Sequence, residues 1–407
     1  LLYSAFTYFC GFRVNSGEYK LMGLAPYGKP KYAALIKEKL IDLKDDGSFA
    51  LDLDYFNFCQ GLTMTNAAFA SLFGGPARQP EARITQREMD LAASIQAVTE
   101  EIVISMARTA KRLTGKDYLC LAGGVALNCV ANGKLLHEGI FKDIWVQPAS
   151  GDAGGALGAA LFLQHQLLDQ PRTLEAGDSM QGAALGPGFS TPEIQSALNS
   201  WGVQYHVFKS EFELLDQTVE ALCSNQVVGW FQGRMEFGPR ALGNRSIIGN
   251  PSDPSMQKKM NTRIKFRESF RPFAPSVLLE DASKYFKIDR PSPYMLMVAP
   301  VQETQRLPLS SEAKASQSDP DLSKRINVAR SSIPSVTHVD YSARVQTVDG
   351  SESTRYSKLL RAWKQATGES VLINTSFNVR GEPIVHTPSD AIRCFLATDM
   401  DCLVVGD

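Results

Sequence analysis

"DYLCLAGGVALNCVANGKLL", residues 117–136, decides the fold class. A short apolar run ends on the paired glycines Gly123 and Gly124, and a new patterned segment opens near 126. That order predicts a buried strand, a tight turn and a helix. It returns at once: "DIWVQP" (143–148) predicts a second buried strand, and "ASGDAGGALGAALFLQHQLL" (149–168) a glycine-rich turn opening a small-residue helix. Two such successions predict α/β architecture with ligands at the strand ends. Upstream, Leu91, Ile95, Val98, Ile102, Met106, Ala110 and Leu113 recur at steps of three and four. Residues 89–113 are therefore expected to form a long helix with one core face.

Downstream the text breaks up around 168–195, which places a domain boundary near 182. Beyond it, helices near 211–224, 354–367 and 388–397 mix with the apolar runs "PYMLMVAP", "SVLINTSFN" and "DCLVVGD", an α+β pattern. The aperiodic stretch 302–333 is expected to be a mobile loop.

Composition narrows the function. With 44% hydrophobic and 21% charged residues over 407 positions, the chain reads as two or three ordinary globular domains. A net charge of −1 supplies no basic footprint for nucleic acid. No apolar run approaches the roughly 18 residues of a membrane span. Seven scattered cysteines, at 10, 59, 120, 129, 223, 394 and 402, read as reduced thiols in the cytoplasm. "LLYSAFTYFCGF" starts in mid-pattern, so the natural N-terminus is expected upstream of Leu1.

The chemistry concentrates in cations on glycine-rich loops. "VGWFQGRMEFGPRALGNRSIIGNP" (228–251) carries Arg234, Arg240 and Arg245 directly after an apolar strand. Guanidinium is the natural bidentate partner of phosphate and carboxylate, so a small anion is the simplest ligand for such a loop. "RIKFRESFRPFAPS" adds Arg263, Lys265, Arg267 and Arg271, which share a face if the segment is extended. "SARVQTV" adds Arg344, and "NTSFNVRGEP" adds Arg380 beside Asn374, Thr375, Ser376 and Asn378. Singly, each arginine reads equally as a surface ion pair worth little. Gly123, Gly124 and Asn128 fit either a tight turn or a nucleotide-lining loop. Asp152 fits either a helix N-cap, which local sequence favours, or a metal ligand. His338 and Asp340 read first as a packed polar pair. No G-x-S-x-G elbow, H-E-x-x-H or P-loop occurs.

Longer motifs carry a resemblance. "SGEYKLMGLAPYGKP", "LAGGVALNCVANGKL", "ASGDAGGALGAAL", "EFGPRALGNRSI", "IKFRESFRPFAPS", "THVDYSARVQTV" and "NTSFNVRGEPIV" run in family order over nearly the whole chain. They closely resemble the ATP-dependent O-carbamoyltransferases of nodulation and antibiotic biosynthesis. The resemblance implies an actin/Hsp70-type ATPase-like domain (1–181), incomplete at its start, followed by a YrdC-like domain (182–407). It implies carbamoyl phosphate, ATP and a hydroxyl-bearing acceptor, with carbamoyl-adenylate between them, and is compatible with a homodimer. By motif position it gives carbamoyl phosphate to Lys265, Arg344 and Arg380, and in second line to Arg240, Arg245, Arg271 and Asn374. Gly123, Gly124 and Asn128 would line the nucleotide. Asp152 would bind a divalent metal: iron, magnesium or manganese. A relative that binds carbamoyl phosphate without catalysis is the alternative reading.

One departure stands out. The family's first domain begins with H-x-x-x-H metal ligands, and none of His137, His165, His206, His338 and His386 forms such a pair. Those ligands are expected upstream of Leu1, so this chain alone is expected to hold metal and ATP poorly.

Overall fold

The computed structural model describes all residues except 174–176, 318, 320, 327, 351–353 and 407, and at 323 the backbone only. The chain divides into two compact units. One comprises Leu1–Leu121, Asn128–Trp145 and Ala315–Ile326; the other comprises Ala122–Leu127, Val146–Lys314 and Asn327–Asp407.

The first unit is built along helix α1, Gln86–Thr114. Its start is a capping box in which Thr85 and Glu88 satisfy each other's terminal groups, and Gly115 ends it at φ +64°. Leu91, Ile95, Val98 and Ile102 are buried as the spacing requires. Met106 and Leu113 are not, at 51% and 73% exposure, so the core face ends short of the expected stripe. Packing is closest near the helix start, where Gly28 lies so near the Met89 carbonyl that a Cβ would overlap it. Phe6, Phe9, Phe69 and Phe73 pack with rings tilted or edge to face, filling the core beside it.

Strands β1 (Ile41–Leu43) and β2 (Phe49–Leu51) make an antiparallel pair. Strands β3 (Tyr118–Leu121) and β4 (Asp143–Val146) make a second pair, with helix α2 (Cys129–His137) between them in sequence. The elements stand where the sequence puts them, but neither strand is buried on both faces. Tyr118 is 69% exposed, and β4 turns Ile144 and Val146 inward while Trp145 faces out. The expected loop at 302–333 carries short helices at Ser311–Ser316 and Leu322–Ile326. Positions 318, 320 and 327 of that stretch lie outside the described residues. Within the first unit, Arg325 donates to the Tyr27 carbonyl at 2.9 Å and to Gln86 Oε1 at 3.1 Å, which gives the segment a buried anchor.

Helix α3, Gly154–Phe162, belongs to the second unit. Its sheet has seven strands: β5 (Val228–Phe231), β6 (Arg245–Gly249), β7 (Ala274–Leu278), β8 (Met297–Pro300), β9 (Ser342–Val348), β10 (Val371–Ser376) and β11 (Cys402–Val405). Spatial order is β11-β5-β6-β10-β7-β9-β8. Only β11–β5 and β7–β9 run parallel. Helices α4 (Glu211–Cys223), α5 (Met256–Arg263), α6 (Arg355–Thr367) and α7 (Pro388–Leu396) accompany the sheet. Side chains alternate between two cores. Val228, Trp230, Ile248, Leu278, Val348 and Leu372 pack with α4 and α6, while Phe231, Ile247, Val277, Val345, Val371 and Ile373 join the core that includes residues of α5 and α7. This is a mixed α/β structure. The condition for a shared cationic face over 263–271, an extended segment, is not met, because Arg263 closes α5 and Phe266 stands at φ +47° in a loop.

Candidate functional site

Sheet register explains why residues far apart in sequence meet. Strand β10 is antiparallel to both β6 and β7, with Ser376 opposite Ser246 and Asn374 opposite Ala274. Strand β9 is parallel to β7, with Ser276 opposite Gln346. The start of β6, the start of β7, the start of β9 and the end of β10 therefore share one end of the sheet. Arg240, Arg245, Arg271, Arg344 and Arg380 all belong to that end or to the loops entering it.

They do not all do the same work. Arg245 is fully buried, and its guanidinium donates to the carbonyls of Gln232, Gly233, Asn244 and Pro187 at 2.8–3.2 Å. It also lies 3.7 Å over the Phe231 ring. Burial pushes its pKa down to about 10. Its two terminal nitrogens thus tie the loop together. Lys265 is likewise buried, and its ammonium donates to the Ser376 carbonyl at 2.8 Å, the Asn378 carbonyl at 2.7 Å and Asn378 Oδ1 at 2.5 Å. It ties down the turn before Arg380. Burial, then Arg267 and Arg271, hold its pKa well below the ordinary lysine range.

Arg271 and Arg380 flank a carboxylate that sequence reasoning passed over: Glu268 stands 3.9 Å from Arg271 and 3.7 Å from Arg380. Arg344 Nε is buried without a hydrogen-bond partner among the described residues, as is Arg245 Nε. Arg234 is exposed and reaches back to the Leu185 carbonyl.

Behind this end lies a buried polar row on the α6 side of the sheet. Ser276 donates to Gln346 Oε1 at 2.5 Å, and Asn374 Nδ2 donates to the same oxygen at 2.8 Å. Gln346 Nε2 donates to the Leu242 carbonyl at 2.8 Å. Glu236 Oε1 accepts from the Leu242 and Asn244 amides at 2.6 and 2.9 Å, closing the loop over the row. Burial raises the Glu236 pKa above the usual carboxylate range. Glu236 had no sequence signal beyond being the lone acid beside three arginines.

The other candidates resolve separately. Gly123 takes φ +98° and its amide donates to the Ser150 carbonyl at 2.8 Å, a turn only glycine enters freely. Asn128 caps α2: its Oδ1 accepts from the Ala131 amide at 3.0 Å, and its Nδ2 donates to Gln96 Oε1 at 3.0 Å. Asn128→Ala should cost about 1 kcal/mol in chemical denaturation, the usual loss for a removed cap. Asp152 is exposed just before α3. Among the described residues no three His, Cys, Asp or Glu side chains come together as a metal site. His338 Nδ1 accepts from the Val339 amide at 2.9 Å, and Asp340 accepts from Ser342, so the pair is a polar turn.

Comparison with known proteins identifies the family. The family model "Carbamoyltransferase N-terminus" matches residues 1–161, and "Carbamoyltransferase C-terminus" matches 219–407. The chain belongs to the carbamoyltransferase family. Protein sll1178 of Synechocystis is 58% identical over 406 residues, covering 100% of this chain and 65% of its own length. Nodulation protein NolNO of Sinorhizobium fredii is 39% identical, covering 96% of this chain and 52% of its own. The 3'-hydroxymethylcephem-O-carbamoyltransferase of Streptomyces clavuligerus is 31% identical, covering 80% and 54% respectively. This carbamoyltransferase-family chain therefore spans about half to two thirds of the length of these relatives. Among the described residues, no helix is long and apolar enough to cross a membrane.

Proposed function

We propose that this chain carries the carbamoyl-phosphate site of an O-carbamoyltransferase that moves a carbamoyl group onto a hydroxyl of a small molecule, with ATP as co-substrate. The observation that carries this reading is the gathering of Arg240, Arg271, Arg344 and Arg380 at one end of the sheet, with Arg344 Nε buried and unpartnered. Guanidinium groups there would bind the dianion and stabilise the charge on departing phosphate. Lys265 and Arg245 would act through the backbone they hold.

In this reading carbamoyl phosphate is hydrolysed to carbamate and phosphate. Carbamate oxygen attacks the α-phosphorus of ATP, releasing pyrophosphate, and the acceptor hydroxyl then attacks the carbamoyl carbon with AMP leaving. Carbamate decomposes in water, so the step needs a closed, dry path. Gly123 and Gly124 would line the nucleotide, with Asn128 setting the following helix. An ATPase-like domain over 1–181 and a YrdC-like domain over 182–407 belong to the same proposal. Two of the similar proteins bear names that fit it, one a nodulation protein and one a cephem O-carbamoyltransferase. Asp152 would supply one ligand of the divalent metal that the family pattern implies, and no step is routed through that metal.

Calorimetric titration with fresh carbamoyl phosphate tests the reading. Arg344→Ala should weaken binding about tenfold or more, since a hydrogen bond to a charged group is worth roughly 1.5–3 kcal/mol. Inorganic phosphate should bind the parent chain and lose affinity in the same variant. A folded chain that binds neither anion would refute the assignment.

A further inference from the structure

The backbone leaves the second unit after Lys314, spends Ala315–Ile326 in the first, and returns at Asn327. The base of this excursion is closed within the second unit. There the Leu307 amide donates to the Arg330 carbonyl at 2.8 Å and the Ser332 amide to the Gln305 carbonyl at 2.9 Å, with Arg306 and Ser331 in an antiparallel bridge between them. The base thus belongs to one compact unit and the tip to the other.

What holds the tip is polar. Among the described residues between Val301 and Ile333, the buried side chains are Arg325, Arg330 and Ser331, and none is apolar. Leu322 and Ile326 are half-buried. Arg325, 7% exposed, supplies the deep contact. Its terminal nitrogens donate to the Tyr27 carbonyl at 2.9 Å, to Gln86 Oε1 at 3.1 Å and to Met89 Sδ at 3.7 Å. Its Nε donates back to the Asp319 carbonyl, within the tip.

The seat does not need this arginine to stay in shape. Gly28 lies against the Met89 carbonyl, and Asp90 accepts from the Lys29 amide at 2.9 Å and from Gln86 Nε2 at 2.8 Å, so the turn and the start of α1 are fastened to each other directly. The tip is equally self-contained: Asp319 pairs with Lys324 at 3.0 Å and accepts from the Asp321 amide at 2.8 Å. Two prebuilt surfaces therefore meet through one guanidinium. When they part, water replaces the hydrogen bonds on both sides and no apolar core is opened. A segment so held opens at a free energy far below that of global unfolding.

We propose that the tip helix Leu322–Ile326 is a releasable clasp, with Arg325 as its catch on the Tyr27–Gln86 seat. Opening withdraws the catch, keeps the base closed and bares the Tyr27 carbonyl and the first turn of α1, with both units still folded. The clasp gives the chain a tied and an untied state that interconvert without unfolding, the kind of element from which a gated catalytic cycle is built.

Hydrogen exchange and limited trypsin cleavage of the 407-residue chain test this. In the parent, the Lys324 amide, which donates to the Asp321 carbonyl at 3.1 Å, should exchange at least about a hundredfold faster than the buried middle of α1. Its rate should hardly change in dilute urea, because a local opening exposes little surface. Arg325→Gln should raise cleavage after Lys314 by about tenfold or more and leave cooperative melting intact. Gln86→Ala, on the seat, should raise cleavage by about threefold and add nothing to Arg325→Gln, since both remove the same contact. Unchanged cleavage in Arg325→Gln would overturn the proposal, as would full additivity of the two substitutions. Exchange of the Lys324 amide only through global unfolding in the parent would also overturn it. So would loss of cooperative melting in Arg325→Gln, because the arginine would then be a fixed part of the fold and not a catch.

Discussion

Lys265→Met should lower stability by roughly 1–3 kcal/mol in urea titration. Methionine keeps the length and the apolar stem, so the loss isolates the ammonium. The Asn378 carbonyl would lose its donor, at roughly 1–3 kcal/mol for such a group, while the Ser376 carbonyl keeps the Asn378 amide and Asn378 Oδ1 keeps the Ser376 hydroxyl. Removing a buried charge relieves its desolvation, which sometimes makes such a change neutral. Here the Asn378 carbonyl is a neutral dipole that stays behind, so the orphaned acceptor outweighs the relief. The pH dependence gives a second signature. The folded pKa of Lys265 lies below its unfolded value, so between the two the unfolded chain holds more protons and stability rises with pH. The contribution is full above the ordinary lysine pKa of 10.5 and is lost as pH falls through the depressed one. The parent should therefore gain on Lys265→Met as pH climbs toward 10.5. A variant of parental stability, with a parallel pH curve, would show that the turn at 376–378 holds itself.

That lysine also shows what sequence can and cannot carry. Its motif marked it as important, but the pattern said nothing of what it touches, because Ser376 and Asn378 lie more than a hundred positions away. Helices α1, α4, α6 and α7 were legible because one apolar stripe or a capping residue announces each. Strands β6 and β7 were not. Both are buried along their whole length, which erases the alternation that betrays a half-exposed strand. β6 opens with a buried arginine, and β7 carries Pro275 in a central position where the residue is rare. Without those two strands, the gathering of arginines could be read only as scattered loops. The register of β10 between them is what makes one site of Arg271, Arg344 and Arg380. Arg245 and Lys265 show the converse limit. A cation in a glycine-rich motif looks the same in sequence whether it meets a ligand or a ring of backbone carbonyls.

Gly243→Ala should be the most damaging substitution in the arginine loop, and a matched glycine shows why. Gly243 stands at φ +116°, and an added Cβ would lie 2.3 Å from the Tyr356 ring. Gly368, at the end of α6, also has positive φ (+79°), but nothing lies within 4 Å of its Cβ position. Gly368→Ala therefore reads backbone strain alone, about 1 kcal/mol. Gly243→Ala adds overpacking of roughly 1–3 kcal/mol to a larger strain, for a loss of about 3 kcal/mol or more. Tyr356 cannot yield cheaply, because α6 is tied to the sheet through Leu359, Leu360 and Trp363 in the same core. The loop would have to lift instead, taking with it the Gly243 carbonyl that accepts from Trp230 Nε1 at 2.8 Å. Trp230 is fully buried, so a red shift of tryptophan emission in the folded variant would report that movement. Phosphate affinity should fall in parallel, since Arg240 and the Glu236 latch ride on the same loop. Equal losses for the two glycines would mean that Tyr356 gives way and that the loop conformation does not depend on the contact.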